Sequence, residues 1–448
     1  MRGLRSTIAL AVVLGGLAAY IYFVTWKRPA TDESAKEKVF ASIQADTISE
    51  VHVTSGSGET TTLQKTDAGW QITSPTAARA DDAEVSGITA NLASLEIERV
   101  IDDNPSDLKD FGLDQPLVEI GFKVTDSPDD RLLLIGGKSP TGNGLFAKRD
   151  TDKRVFLIRA SLESTFNRSS FDLRNKTLLA FDREKVDRID LIADGKTIQI
   201  SKDGGEWKIA RPLQVRADFG AVEGVLGRLQ TAQMKSIVTA DASPADLKKY
   251  GLDTPNITAT LSLGSARATL LLGGKAEDTT VYARDASRPV VMTVEGILAD
   301  DLKKDLDTYR RKDVFEFRAY NATHVEITRD GQTAVFDKVK GAGEKGADTW
   351  RRVSPDSGDV PRETMDTLLG ELSNLRIESF VDSTVNTGLN QPVATVVVKF
   401  DDGKKEERAT FGRVAKDVFV ARSSEPGAGR ISETSFTDAM KALDGVLK

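Results

Sequence analysis

Apolar and polar residues alternate in short runs such as LVEIGFKV, NITATLSL and VATVVVKF, the period of two that a half-buried strand requires. Other apolar stripes follow a helical period: Val85, Ile88 and Leu92; Val222, Val225, Leu226 and Leu229; Met365, Leu368, Leu369 and Leu372. Spacings of three, four and seven put each set on one face, so each predicts a helix laid against a sheet. The three stripes begin at the same distance after Trp70, Trp207 and Trp350, and each tryptophan is followed five residues on by a proline: Pro75, Pro212 and Pro355. One unit is therefore written three times along the chain.

The remainder of the unit repeats too. After each helix comes an apolar pair, Val100-Ile101, Ile237-Val238 and Phe380-Val381, and then Gly-Leu-x-x-Pro, at Gly112 to Pro116, Gly251 to Pro255 and Gly388 to Pro392. In the first two copies the glycine ends a short helical pattern starting at Ser106 or in the Pro244 region, and a left-handed glycine is expected there. The third copy, STVNTGL, is shorter. An alternating strand follows each proline, and a second strand closes on glycine, in LLLIGG, TLLLGG and ATFG. The next strand carries Phe146-Ala147-Lys148, Tyr282-Ala283-Arg284 and Val420-Ala421-Arg422, and closing helices are expected near 161–167, 295–306 and 433–443. The predicted fold class is α+β: three tandem modules, each an antiparallel sheet with helices on one face, spanning 39–176, 177–312 and 313–448. Each module is large enough to own a core.

From Ser6 to Trp26 no side chain is charged, a run that at about 1.5 Å per residue spans roughly 30 Å of hydrocarbon. Residues 1–28 thus predict one N-terminal transmembrane signal anchor, and 29–38 a polar stalk. A cleaved signal peptide would have a shorter apolar core and a small-residue cleavage site before Lys27. Tyr20, Tyr22 and Trp26 cluster at the far end, where aromatic rings prefer the headgroup level, and the short N-terminal flank favours keeping the start inside. The expected localisation is a bacterial inner membrane, crossed once, with the modules on the periplasmic side.

The 448 residues are 39% hydrophobic and 29% charged with a net charge of -7, and both signs are interleaved, which makes nucleic acid a poor partner. Without cysteine there is no disulfide, thiolate nucleophile or Cys-ligated zinc. His52 and His324 flank Val51 and Val325 on period-two strands and are expected to face solvent as surface residues. The repeats place His52 opposite Asp190 and Glu326, and His324 opposite Glu50 and Arg188. Gly136-Gly137-Lys138-Ser139 resembles the tail of a phosphate loop, but Leu132 replaces the required glycine, and Gly273-Gly274-Lys275 and Gly412-Arg413 mark the position as a strand-end turn. Asp81-Asp82, Asp129-Asp130 and Asp300-Asp301 fit no calcium loop, and Asp82 reads as a helix start. No catalytic, cofactor-binding or metal-ligating residue is assigned, and no cofactor is expected. The repeated tryptophans read as core, and Gly-Leu-x-x-Pro as a turn.

W-x4-P, the helical stripe, Gly-Leu-Asp-x-Pro, the Leu-Gly-Gly turn and Tyr-Ala-Arg resemble the bacterial family catalogued as domain of unknown function 4340. The resemblance spans nearly all of the chain after the anchor. It brings no catalytic residues, and it implies an accessory envelope component beside transporters of the ABC type. The expected function is a non-enzymatic membrane-anchored scaffold with protein partners in an inner-membrane complex. An extracytoplasmic receptor for a small molecule or lipid, or an enzyme acting on an envelope polymer, is the alternative.

Overall fold

The computed structural model describes residues 36–448 apart from 42, 126, 151, 278, 342–347, 383 and 448. The anchor predicted at Ser6 to Trp26 and most of the stalk lie outside the described residues. No helix among the described residues is long and apolar enough to cross a membrane. The last stalk residues belong to the first module: Lys36 pairs with Glu98, Glu37 with Arg154 at 3.0 Å, and Lys38 bridges to Glu96.

The first module builds one sheet from β1 (Ile48–Thr54), β2 (Thr60–Thr66), β3 (Gly69–Ser74), β4 (Ala78–Arg79), β5 (Arg99–Asp102), β6 (Val118–Val124), β7 (Ser127–Lys138), β8 (Gly144–Arg149) and β9 (Val155–Arg159). Its order is β4-β3-β2-β1-β6-β7-β8-β9-β5, all pairs antiparallel, and the same nine-stranded order recurs twice more along the chain. Between β4 and β5 lies α1 (Asp82–Ala93), with α2 (Phe219–Thr231) and α3 (Arg362–Ser373) at the same place in the other copies. Each helix carries the chain from one edge of its sheet to the other, so the apolar pair after it forms an edge strand instead of extending the hairpin. Val100 is accordingly exposed.

The predicted stripes are buried: Val85, Ile88 and Leu92; Val222, Val225, Leu226 and Leu229; Met365, Leu368, Leu369 and Leu372. Trp70, Trp207 and Trp350 are all buried on the third strand of their sheets, opposite Lys65, Lys202 and Lys338. Pro75, Pro212 and Pro355 each follow a cis peptide bond. Asp81 caps α1 by accepting from the amides of Ala83 and Glu84. Asp82 is the first helical residue, and its carboxylate accepts from the Trp70 amide at 2.8 Å.

The two glycine motifs prove to be one contact. Gly112, Gly251 and Gly388 are left-handed, with φ of 64°, 67° and 67°. They bring their loops against Gly136, Gly273 and Gly412, where an added Cβ would sit 2.2 Å from the carbonyl oxygens of Phe111, Tyr250 and Thr387. Two backbones meet where no side chain fits. Gly136-Gly137-Lys138 is thus strand and not turn: it forms the last three residues of β7, where the register to β8 shifts between Ile135 and Lys138.

Strand pairing also corrects one repeat. Ile135, Leu272 and Phe411 face Ala147, Ala283 and Val420, so Arg149, Asp285 and Arg422 are equivalent, and the third copy's Val420-Ala421-Arg422 is one residue out of step with Tyr282-Ala283-Arg284. These three positions hold a clamp on the segment leading into each module. Arg149 donates to the Val39 carbonyl at 2.8 Å and pairs with Asp152. Arg422 donates to the carbonyls of Arg311 and Asp313 and pairs with Glu425. In the second module the charges are exchanged: Asp285 pairs with Arg288 at 3.0 Å, and Arg288 reaches the carbonyls of Thr177 and Leu178. The chain divides into two compact units, one up to Lys176 with the first sheet and one from Thr177 with the other two.

Candidate functional site

Within the second unit a partly buried charge network gathers where the second module meets the third. Arg216, on the short strand Val215–Arg216, reaches three carboxylates of the third module: Glu425 at 2.6 Å, Glu316 at 2.8 Å and Glu407 at 3.1 Å. Its side chain is 16% exposed and that of Glu425 is 4% exposed. Around this core Glu316 pairs with Arg311 at 2.7 Å, Glu425 pairs with Arg422, and Glu407 accepts from the Glu316 amide at 2.7 Å. Three guanidinium and three carboxyl groups thus balance within one network, the condition under which charge survives burial. The network forms one wall of a groove of about 760 Å³ also lined by Asp203, Glu206, Lys208, Phe400 and Lys405.

Burial works against the Arg216 charge, but Glu425 and Glu316 outweigh it and raise its pKa. The two acids facing it shift in opposite directions. Burial pushes Glu407 up, helped by the charge of Glu316 and opposed by amide hydrogen bonds and by Arg216. At Glu316 burial is overcome by the hydrogen bond and charge of Arg216 and by Arg311, and the pKa falls. Arg422 is lowered to about 10 by burial and remains a cation at neutral pH. The arrangement pins two modules together; its groups are spent on one another.

The histidines are half-buried and bonded, not free on the surface. His52 lies 2.7 Å from Glu50 and 3.1 Å from Thr62, while His324 lies 2.6 Å from Asp337 and 2.9 Å from Glu326. Register makes the pairs equivalent: Glu50 and His52 in the first sheet, Arg188 and Asp190 at 2.8 Å in the second, His324 and Glu326 in the third. Each outward strand face holds one base and one acid two residues apart. The two histidines occupy opposite ends of that pair, which is why the repeats place them out of step. Glu50 has further partners in Lys123 at 2.8 Å and Gln64 at 3.2 Å, and the Lys123 hydrogen bond, against burial, draws its pKa down from 4.5 to about 2.

Other candidates are tied into structure. Lys138, beside the two glycines, pairs with Glu163 at 2.7 Å. Asp130 lies 3.6 Å from Lys123, and Asp301 lies 2.7 Å from Arg228 and 2.8 Å from Lys304. Among the described residues no cluster of three His, Asp or Glu side chains is placed to hold a metal. The Arg216 network escaped sequence reading because its members are far apart along the chain. The one signal was the loss of repetition: at the places of Glu316, Glu407 and Glu425 the second module has Ala180, Ala268 and Arg288.

The fold and these contacts define a tandem α+β protein whose repeated residues serve packing and whose second and third modules are joined through acids that break the repeat. The chain belongs to the family described as Domain of unknown function (DUF4340), which matches residues 70–208 and 207–392. No curated protein matches the chain. Two solved structures of the DNA polymerase sliding clamp from Pseudomonas aeruginosa, one with ligand, align at 7% and 8% identity. They cover 88% and 89% of this chain and 93% and 94% of theirs, with TM-scores of 0.14 and 0.16, a likeness too low to carry an argument.

Proposed function

We propose that this chain is a non-enzymatic scaffold of the bacterial envelope, tethered by residues 6–26 and working with an integral membrane complex, of which an ABC-type transporter is the expected kind. The observation that carries the reading is what the repeated residues do. The tryptophans fill cores, the paired glycines weld loop to strand, and the Arg–acid pairs clamp each module's lead-in segment. Three copies of such a module along one chain offer repeated surface, which suits holding other proteins. The uncharged run Ser6 to Trp26 supplies the tether.

The test is fractionation followed by crosslinking. Membranes from cells producing the full-length chain, washed with carbonate and with high salt, should retain it. Crosslinked material should contain the subunits of one membrane complex. Release by carbonate would remove the tether, and a captured set identical to that of a control carrying only residues 1–38 would remove the scaffold role. Protection of a C-terminal tag from protease added to spheroplasts would reverse the orientation.

A further inference from the structure

The segment that links the second module to the third is paired to both. The Arg311 amide donates to the Arg216 carbonyl at 3.0 Å, the Val314 amide donates to the Leu375 carbonyl at 3.0 Å, and the Lys312 carbonyl accepts from the Ile377 amide at 2.7 Å. Just beyond, the Glu316 amide donates to the Glu407 carboxylate at 2.7 Å, while the other oxygen of that carboxylate lies 3.1 Å from Arg216. One acid of the third sheet thus touches the linking segment and the second module together.

The three acids around Arg216 are not equally served. Among the described residues Glu316 has Arg311 as a second cation and Glu425 has Arg422, whereas the one ion pair of Glu407 is with Arg216. Glu316 and Glu407 moreover meet the same guanidinium nitrogen, Nη1, at 2.8 Å and 3.1 Å, so two carboxylates only 18% and 16% exposed crowd one donor. The nearby cations are engaged elsewhere: Lys208 with Asp203 at 2.7 Å, Lys405 with Asp401 at 3.5 Å, and Arg310 with Asp307 at 3.5 Å, while Arg311 is shared with Asp313 at 3.2 Å. Glu206 and Glu406, on the same groove, add like charge. Strand pairing puts Ala268 and Arg131 at the place of Glu407 in the other copies, so this acid is peculiar to the third.

We propose that Glu407 is a proton-binding latch: it takes up one proton in mild acid, and the junction between the second and third modules tightens as it does so. Where like charges crowd a partly buried donor, the proton goes to the acid with least compensating charge. A protonated Glu407 keeps an oxygen for the Glu316 amide, and Arg216 keeps Glu316 and Glu425. The shifts of the two acids agree with this. Burial and the Glu316 charge push Glu407 above 4.5, so its contribution to stability grows as pH falls and is complete below 4.5. At Glu316 burial is outweighed by Arg216 and Arg311, so its contribution is present above 4.5 and is lost below. The junction is therefore tightest near pH 4.5, whatever the scaffold holds.

The test is amide hydrogen exchange of the full-length chain, read by mass spectrometry on residues 309–314, with variants compared at one pH so that intrinsic rates cancel. Glu407→Gln, which keeps the amide-accepting oxygen and removes the charge, should slow exchange there at neutral pH and match wild type at pH 4.5. Glu316→Gln should do the reverse and speed exchange at neutral pH. Exchange of the first unit should be the same in all three proteins. In wild type the protection of residues 309–314, corrected for the intrinsic rate, should rise from neutral pH to pH 4.5. Equal or faster exchange in Glu407→Gln at neutral pH, or a difference that persists undiminished at pH 4.5, overturns the latch. Slower exchange in Glu316→Gln as well overturns the assignment to Glu407, since the removal of either acid would then relieve the crowding.

Discussion

Arg79 and Arg216 occupy one position of the repeat, each on the short strand before the crossover helix, yet they lead different lives. Arg79 is 61% exposed and faces Asp82 at 3.4 Å. Arg216 is 16% exposed and holds three carboxylates of the next module. The residues that make the difference are not on its own module. Glu316, Glu407 and Glu425 belong to the third copy, and the second copy has Ala180, Ala268 and Arg288 in their places. A repeated residue thus keeps its backbone setting while its energetic role is decided by what the following copy presents.

The comparison breaks most sharply if Arg216 is dispensable. Arg216→Ala takes a guanidinium from three buried carboxylates, of which Glu316 keeps Arg311 and Glu425 keeps Arg422 while Glu407 loses its ion pair, and should destabilise the second unit by about 3–5 kcal/mol. Arg79→Ala, removing an exposed pair, should cost less than about 0.5 kcal/mol. Urea unfolding of the full-length variants followed by tryptophan fluorescence measures both, and equal effects would dissolve the distinction. A contact shared by all three copies is the control. Gly136→Ala, Gly273→Ala and Gly412→Ala each drive a methyl into a carbonyl and should cost about 1–3 kcal/mol apiece. A large spread among the three would show that the copies differ in their interiors as well as at their junction.

A smaller effect distinguishes the outward strand faces by pH. The Glu50 pKa is lowered to about 2, so its contribution is fully present above the unfolded value of 4.5 and is lost as pH falls towards 2. Glu50→Gln should therefore flatten the pH dependence of the first unit's melting between pH 4.5 and pH 2, and leave it unchanged near neutrality. The smallest effect is expected from His52→Gln with His324→Gln, where glutamine can still donate to the neighbouring acid. The double variant should melt within about 1 kcal/mol of wild type and complement a deletion strain. Normal melting with failed complementation would make the histidines a working site.

Much of the fold is legible in the sequence because its signals are local. Trp70, Trp207 and Trp350 fix the register of the copies, and Met365 to Leu372 declare their helix by spacing alone. What local pattern cannot carry is partnership. Val100-Ile101 reads as a strand, but nothing in it says that it pairs with β9 across the sheet. The glycines of Gly-Leu-x-x-Pro and Leu-Gly-Gly look like separate turns until their backbones are seen to touch. Arg422 appears to extend a Tyr-Ala-Arg motif because Val-Ala-Arg spells a similar word one residue away from the structural match. The Arg216 network is hidden for the same reason: charge gives the sign of a partner and not its address, and its acids are separated from it by whole strands.

The crossover that sends each helix from one edge to the other has a consequence for how three look-alike sheets can coexist on one polypeptide. The outermost strands are short, two and four residues in the first two sheets and three and five in the third, whereas inner strands run to as many as twelve. An edge of that length offers few open amide and carbonyl groups for a foreign strand to zip onto. Newly made copies emerging one after another from the ribosome, each a near match for its neighbour's strands, are thereby steered away from trading strands or stacking into fibres.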